Sequence, residues 1–121
     1  GTAGVSNTAA ANPYFSHPTF TNGMVANKWY VSIGFINASH KTSNYIDIGG
    51  IYDLETKQKI HTASSWKFYA GVTTNRQRVY KYYDTTANTE MCFASPIFTV
   101  YDGTENTLTL DNLLSKDYKT I

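Results

Sequence analysis

Cysteine is nearly absent from this 121-residue chain. Cys92 stands alone, so no disulfide can form within one copy. Charge is scarce as well: 16% of residues are Asp, Glu, Lys or Arg and the formal net charge is +1. That is far from the basic surplus of a domain built to hold nucleic acid. No apolar run approaches the roughly 18 residues of a membrane-crossing helix, and no charged-then-apolar leader opens the sequence. Neither a nucleic-acid partner nor membrane insertion is therefore expected. The motifs that announce common chemistries are also missing, with no G-x-S-x-G, P-loop or G-x-G-x-x-G. His17, His40 and His61 lack zinc-ligand spacing to one another or to Cys92, so no metal and no cofactor is expected. The apolar setting of Cys92, Met-Cys-Phe-Ala, reads as that of a buried structural thiol.

What the chain has in excess is aromatic and small polar side chains. Aromatics make up 15%, ten of them Tyr, and Thr, Asn and Ser together number 36. Thr and Tyr favour strands while Asn and Ser favour turns, so the composition points to an all-β protein of extracellular or virion type. Without disulfides, such a protein fits folding in a reducing compartment before release. The length suits a single domain that buries roughly two thirds of its unfolded surface. Residues 1–12, small and polar without periodicity, read as an extended lead-in, leaving residues 13–121 as the folded domain.

Residues 28–36 (KWYVSIGFI) alternate cleanly, with Trp29, Val31, Ile33 and Phe35 on one face. Trp29 and Phe35 are assigned to the core. Residues 45–52 (YIDIGGIY) read as a strand interrupted at Gly49-Gly50 by a bulge or a close backbone approach. Residues 53–59 (DLETKQK) then turn into a strand at 60–63. Further strands are expected at 65–70 (SWKFYA), 78–84 (RVYKYYD) and within the apolar run 90–101, where Pro96 marks an edge or bulge. Residues 107–114 fit a short strand or a helical turn. Turn signals every 10 to 15 residues, with no amphipathic helix between them, predict an antiparallel β-sandwich or small barrel rather than βαβ units.

Catalytic chemistry finds little support in these residues. The nine carboxylates fall in turns and read as solvated, whereas a glycosidase needs two of them facing each other, one in an apolar pocket. No catalytic residue is assigned and the chain is not expected to be an enzyme. Residues 102–107 (DGTENT) space oxygen ligands closely, as a calcium loop does, but without the full pattern they read as a type I turn. Asn37-Ala38-Ser39 has the form of a glycosylation sequon.

The aromatics carry the sharper expectation. Trp66, Tyr69, Tyr80 and Tyr82 lie on strands where both faces are aromatic in places, with Asn75, Arg76 and Arg78 beside them. Exposed rings offer apolar faces to sugar C–H groups while polar neighbours take the hydroxyls. The same rings suit a subunit contact or a second core layer. Arg76 and Arg78 could grip an acidic sugar or phosphate bidentately, stack on Tyr or pair with a surface acid. These seven residues form the candidate ligand-binding set.

Four blocks in order carry a family resemblance. They are residues 27–39 (NKWYVSIGFINAS), 49–59 (GGIYDLETKQK), 64–84 (SSWKFYAGVTTNRQRVYKYYD) and 93–114 (FASPIFTVYDGTENTLTLDNLL). In order and character they resemble the C-terminal, jelly-roll-like domains of tailed-bacteriophage tail fibres and tailspikes, which more often show Thr-Gly where this chain has Thr56-Lys57. The fold is also similar to β-sandwich carbohydrate-binding modules. The resemblance implies a jelly-roll-like sandwich on the virion surface, extracellular after release. It implies a parallel homotrimer that binds a host surface glycan or protein, and it carries over no ligand residue. A structural trimerisation or assembly cap, or a monomeric carbohydrate-binding module of a larger enzyme, are the alternatives.

Overall fold

The computed structural model describes residues 8–9, 15, 23–43, 45–63, 66–75, 85, 87–88, 90–100 and 109–115. The chain divides into two compact units, Gly1–Thr73 and Thr74–Ile121. Among the described residues the regular secondary structure is mostly strand, with one short helix, in keeping with the all-β expectation. The first unit holds β1 (Thr8–Ala9), β2 (Tyr30–Ile33), β3 (Ile36–Asn37), β4 (Gly50–Asp53), β5 (Lys59–Thr62) and β6 (Trp66–Lys67). They form two three-stranded sheets, ordered β2-β4-β5 and β1-β6-β3.

The β2-β4-β5 sheet is antiparallel and carries most of the core. Tyr30 pairs with Asp53 and Ile33 with Gly50 across β2 and β4. Across β4 and β5, Gly50 pairs with Thr62, Ile51 with His61 and Tyr52 with Lys59, so the register shifts at Ile51/Tyr52 and Ile60 is the extra residue of a bulge. All four residues of the central strand β4 are buried, and the Ile51 side chain is sealed from solvent completely. Burying one such side chain contributes roughly 1.5–3 kcal/mol. Tyr52 is also buried, and its hydroxyl donates to the Ile48 carbonyl at 2.8 Å, which satisfies its polar tip. The Lys59 ammonium stands 5.5 Å from the Tyr52 ring centroid and donates to the Asp47 carbonyl at 3.2 Å.

The smaller sheet is parallel. Trp66 pairs with Thr8 and with Ile36, and Lys67 with Ala9 and with Asn37. This differs from the purely antiparallel expectation. A parallel pair needs a crossover of a dozen residues or more, and residues 38–65, which include the β4–β5 hairpin, supply it between β3 and β6. Thr8–Ala9 lie inside the extended lead-in and take their place at the edge of this sheet. The Phe15 ring lies on the backbone of Gly34, so close that a Cβ there would stand 2.7 Å from it.

Three expectations need correction. Trp29 is not core: it is 54% exposed, whereas Ile33, from the same alternation, is buried at 8% and Phe35 is half-buried. The strand begins only at Tyr30, on an edge strand, so the alternation is right about the face but extends past the packed part of the sheet. Cys92 is exposed rather than buried. The third correction concerns the same segment: residues 90–100, Cys92 among them, form no strand. The predicted strand at 78–84 lies outside the described residues, as does the loop at 102–107.

In the second unit, Leu110–Ser115 is the helix α1. Thr109 caps it. The Asn112 N–H donates to Thr109 Oγ1 and the Thr109 N–H to Asn112 Oδ1, both at 3.2 Å, a reciprocal capping box with Asn in the usual Glu or Gln position. Asp111 sits favourably in the first turn, and Leu114 is the buried anchor. This resolves residues 107–114 in favour of the helical alternative over 110–114.

Gly50 answers the Gly49-Gly50 signal. Its φ of +155° is a conformation side chains avoid, and a Cβ would run into the His61 carbonyl oxygen. Gly71 also has a positive φ, +78°, but open space where a Cβ would stand. Gly50→Ala should therefore cost about 3 kcal/mol or more, strain and collision together, against about 1 kcal/mol for Gly71→Ala. Urea unfolding followed by far-UV circular dichroism measures both; equal midpoints would contradict this account of β4.

Candidate functional site

The most highly built local feature is the β4–β5 hairpin. Asp53 closes it. The backbone N–H groups of Glu55 and Thr56 donate to Asp53 Oδ1 at 2.8 and 3.1 Å, the Lys57 N–H to the Asp53 carbonyl at 2.8 Å, and the Asp53 N–H to the Gln58 carbonyl at 2.9 Å. An Asp that bonds its own backbone two residues on is an Asx turn. The loop returns through Lys57, whose φ of +63° is left-handed.

Asp53 Oδ2 takes the Lys28 ammonium at 2.5 Å, and Glu55 Oε2 stands 3.1 Å from the same nitrogen. The Asp53 side chain is only 10% exposed, while that of Glu55 is 76% exposed. The expectation of solvated acids in turns therefore fails at Asp53. Lys28 first, and then the two turn N–H groups, hold the Asp53 carboxyl below its ordinary value of 3.8 against the opposing effect of burial. The hydrogen bonds to Asp53 and Glu55 raise the Lys28 ammonium to about 12. A carboxylate held ionised in this way is suited to fixing structure, the opposite of a general acid.

Asn37 is the second buried polar side chain, 3% exposed. Its Oδ1 accepts from the Ile46 N–H at 3.2 Å and its Nδ2 donates to the Ile46 carbonyl at 3.4 Å. The side-chain amide thus completes a backbone pair for the segment before β4. The nitrogen a glycan would need is buried in that clamp, so the sequon form at 37–39 reflects structure.

Of the candidate ligand set, Trp66 is half-buried on β6, Tyr69 is 50% exposed two residues beyond it, and Asn75 is exposed. Trp66 and Tyr69 share one short segment of the first unit; Asn75 belongs to the second unit. The Phe68 N–H donates to the Asn37 carbonyl at 3.0 Å, continuing the β3–β6 pairing. The Val72 N–H then donates to the Tyr69 carbonyl at 3.4 Å across Ala70-Gly71, with positive φ at Gly71, as a type II turn requires. Tyr69 is thereby displayed at the start of a tight turn. Arg76, Arg78, Tyr80 and Tyr82 lie outside the described residues.

Among the described residues no three His, Cys, Asp or Glu side chains converge as metal ligands, and no helix is long and apolar enough to cross a membrane. Sequence reasoning missed Trp29 as a displayed ring. The signal was available in the Asn-Lys pair before it, since Asn27 turns with φ +61° and β2 starts only after Trp29. Compared with family models, with curated proteins and with solved structures, the chain matches none.

Two outcomes follow from this geometry. Asn37→Ala leaves the Ile46 N–H and carbonyl without their side-chain partner and should destabilise the chain by about 2 kcal/mol, read from the urea midpoint; a loss within error of zero would contradict the clamp. Lys28→Met should lower stability in a pH window. The raised Lys28 contributes fully below 10.5 and loses its contribution as pH rises toward about 12. The depressed Asp53 contributes above 3.8 and loses its contribution as pH falls through its lower folded value. The gap in melting temperature between wild type and Lys28→Met should therefore be widest between those limits and close on both sides; a gap independent of pH would contradict the ion pair.

Proposed function

We propose that this chain is a non-enzymatic receptor-binding domain of a phage tail fibre, a jelly-roll-like β-sandwich that acts as a homotrimer on the virion surface. It engages a host surface glycan or protein through displayed aromatic rings with polar neighbours. The observation that carries this reading is Tyr69: half its surface faces solvent, on a turn that begins directly after a paired strand. A ring held in place offers contact area with little conformational freedom to lose. The weak charge of the chain supports the same reading, since a neutral glycan surface asks for stacking and hydrogen bonds more than for ion pairs. The tail-fibre setting rests on the four resembling blocks. Three copies multiply weak contacts: a site of about millimolar affinity gains 10²–10⁴ in avidity when tethered.

A second reading, a structural trimerisation cap, is favoured by one observation in the second unit. Phe98 and Val100 are 68% and 69% exposed, and apolar side chains displayed to that degree suit a subunit contact.

Adsorption of the chain to whole bacterial cells separates the two. A variant carrying Tyr69→Ala, Tyr80→Ala and Tyr82→Ala should adsorb at least tenfold less than wild type while keeping its circular dichroism spectrum. Equal adsorption by the variant would remove these rings from the site. Failure of the unaltered chain to adsorb to any host would leave the cap as the better reading.

A further inference from the structure

Among the described residues of the first unit, Trp29 is the exposed large ring that neither the core nor the Trp66–Tyr69 segment accounts for. By register it falls one residue before the Tyr30–Asp53 pair, which sets it opposite Leu54 at the hairpin end of the antiparallel sheet. The Leu54 N–H donates to the Trp29 carbonyl at 3.4 Å. Both chain neighbours are tied down. The Lys28 ammonium is held by Asp53 and Glu55, and Tyr30 pairs within the sheet while its hydroxyl accepts from the Val25 N–H at 2.9 Å. The backbone beneath the ring is thus fixed on both sides, yet 54% of the residue faces solvent. Trp66 stands on β6 of the parallel sheet, whereas Trp29 directly precedes β2 of the antiparallel one.

The surroundings select the ligand. The hairpin loop after Leu54 carries exposed Glu55, Thr56, Lys57 and Gln58. Its one acid and one base cancel, and the Lys28–Asp53 pair beneath is neutral as a unit. An acidic sugar or a phosphate finds no net positive charge there. A neutral pyranose finds an indole for its C–H face and hydroxyl, amide, carboxylate and ammonium groups on the adjacent loop for its hydroxyls.

We propose that Trp29 is a stacking platform for a neutral sugar ring, with the 55–58 hairpin loop supplying the hydrogen-bonding rim. This deepens the adhesion reading above and rests on it. Trp29 and Trp66 are the two tryptophans of the chain, so in Trp66→Phe the indole fluorescence reports Trp29 alone.

The test is native affinity electrophoresis of the full chain in gels containing dextran, mannan or galactomannan, with polysialic acid as the acidic arm. At least one neutral polysaccharide should retard wild type and Trp66→Phe and shield the Trp29 emission of the latter from acrylamide quenching. Trp29→Ala should lose the retardation at least tenfold and Trp29→Tyr should keep part of it, both with wild-type circular dichroism. Equal retardation of Trp29→Ala, retardation by polysialic acid alone, or none by any polysaccharide would each overturn the platform. If Tyr69→Ala abolishes the retardation while Trp29→Ala does not, or if the chain adsorbs to cells but to no neutral polysaccharide, the platform falls and the adhesion reading stands. If the chain neither adsorbs to cells nor is retarded, both fall.

Discussion

Asp53 closes the hairpin, ends the central strand and anchors the segment that precedes β2. One of its carboxylate oxygens is used by two turn N–H groups and the other by the Lys28 ammonium, while its own backbone N–H and carbonyl are both engaged across the loop. A nearly buried carboxylate is tolerable only when its oxygens are occupied and its charge is met, and both conditions hold here. The consequence runs from energetics to display. With Lys28 tied to the turn, Trp29 has a fixed backbone while 54% of the residue faces solvent.

The other end of the antiparallel sheet is governed by backbone proximity. Gly50 lets β4 approach the carbonyl of His61 more closely than any side chain permits, and Asn37 supplies through its amide the pairing that the segment before β4 lacks. Between these two constraints lies the buried run of Ile51 and Tyr52. Loops of the first unit that leave this frame, at 55–58 and 69–73, face solvent.

Much of this frame was legible in the residues. The alternation over 28–36 found β2 and its buried Ile33, the Gly49-Gly50 pair marked the close approach, and the polar run 53–59 marked the hairpin. What escaped were properties that depend on neighbours distant in sequence. Nothing local distinguishes Asp53 from the other acids in turns until Lys28, twenty-five residues earlier, is seen beside it. Asn37 showed only the form of a sequon because its partner, Ile46, lies across a loop. Hydrophobicity alone suggested a strand in 90–101 and a buried Cys92, but a strand also needs a ladder partner, and residues 90–100 pair with none of the described residues. The helix at Leu110–Ser115 was ambiguous because Asn112 takes the capping position where Glu or Gln is the usual signature.

Aromatic rings displayed from a rigid frame, each binding weakly, make an effective adhesin only when several copies act together. The account therefore stands most directly on the molar mass of the chain in solution, by size exclusion with light scattering. It predicts a value near three times 13.5 kDa. A value near 13.5 kDa at all protein concentrations would contradict it.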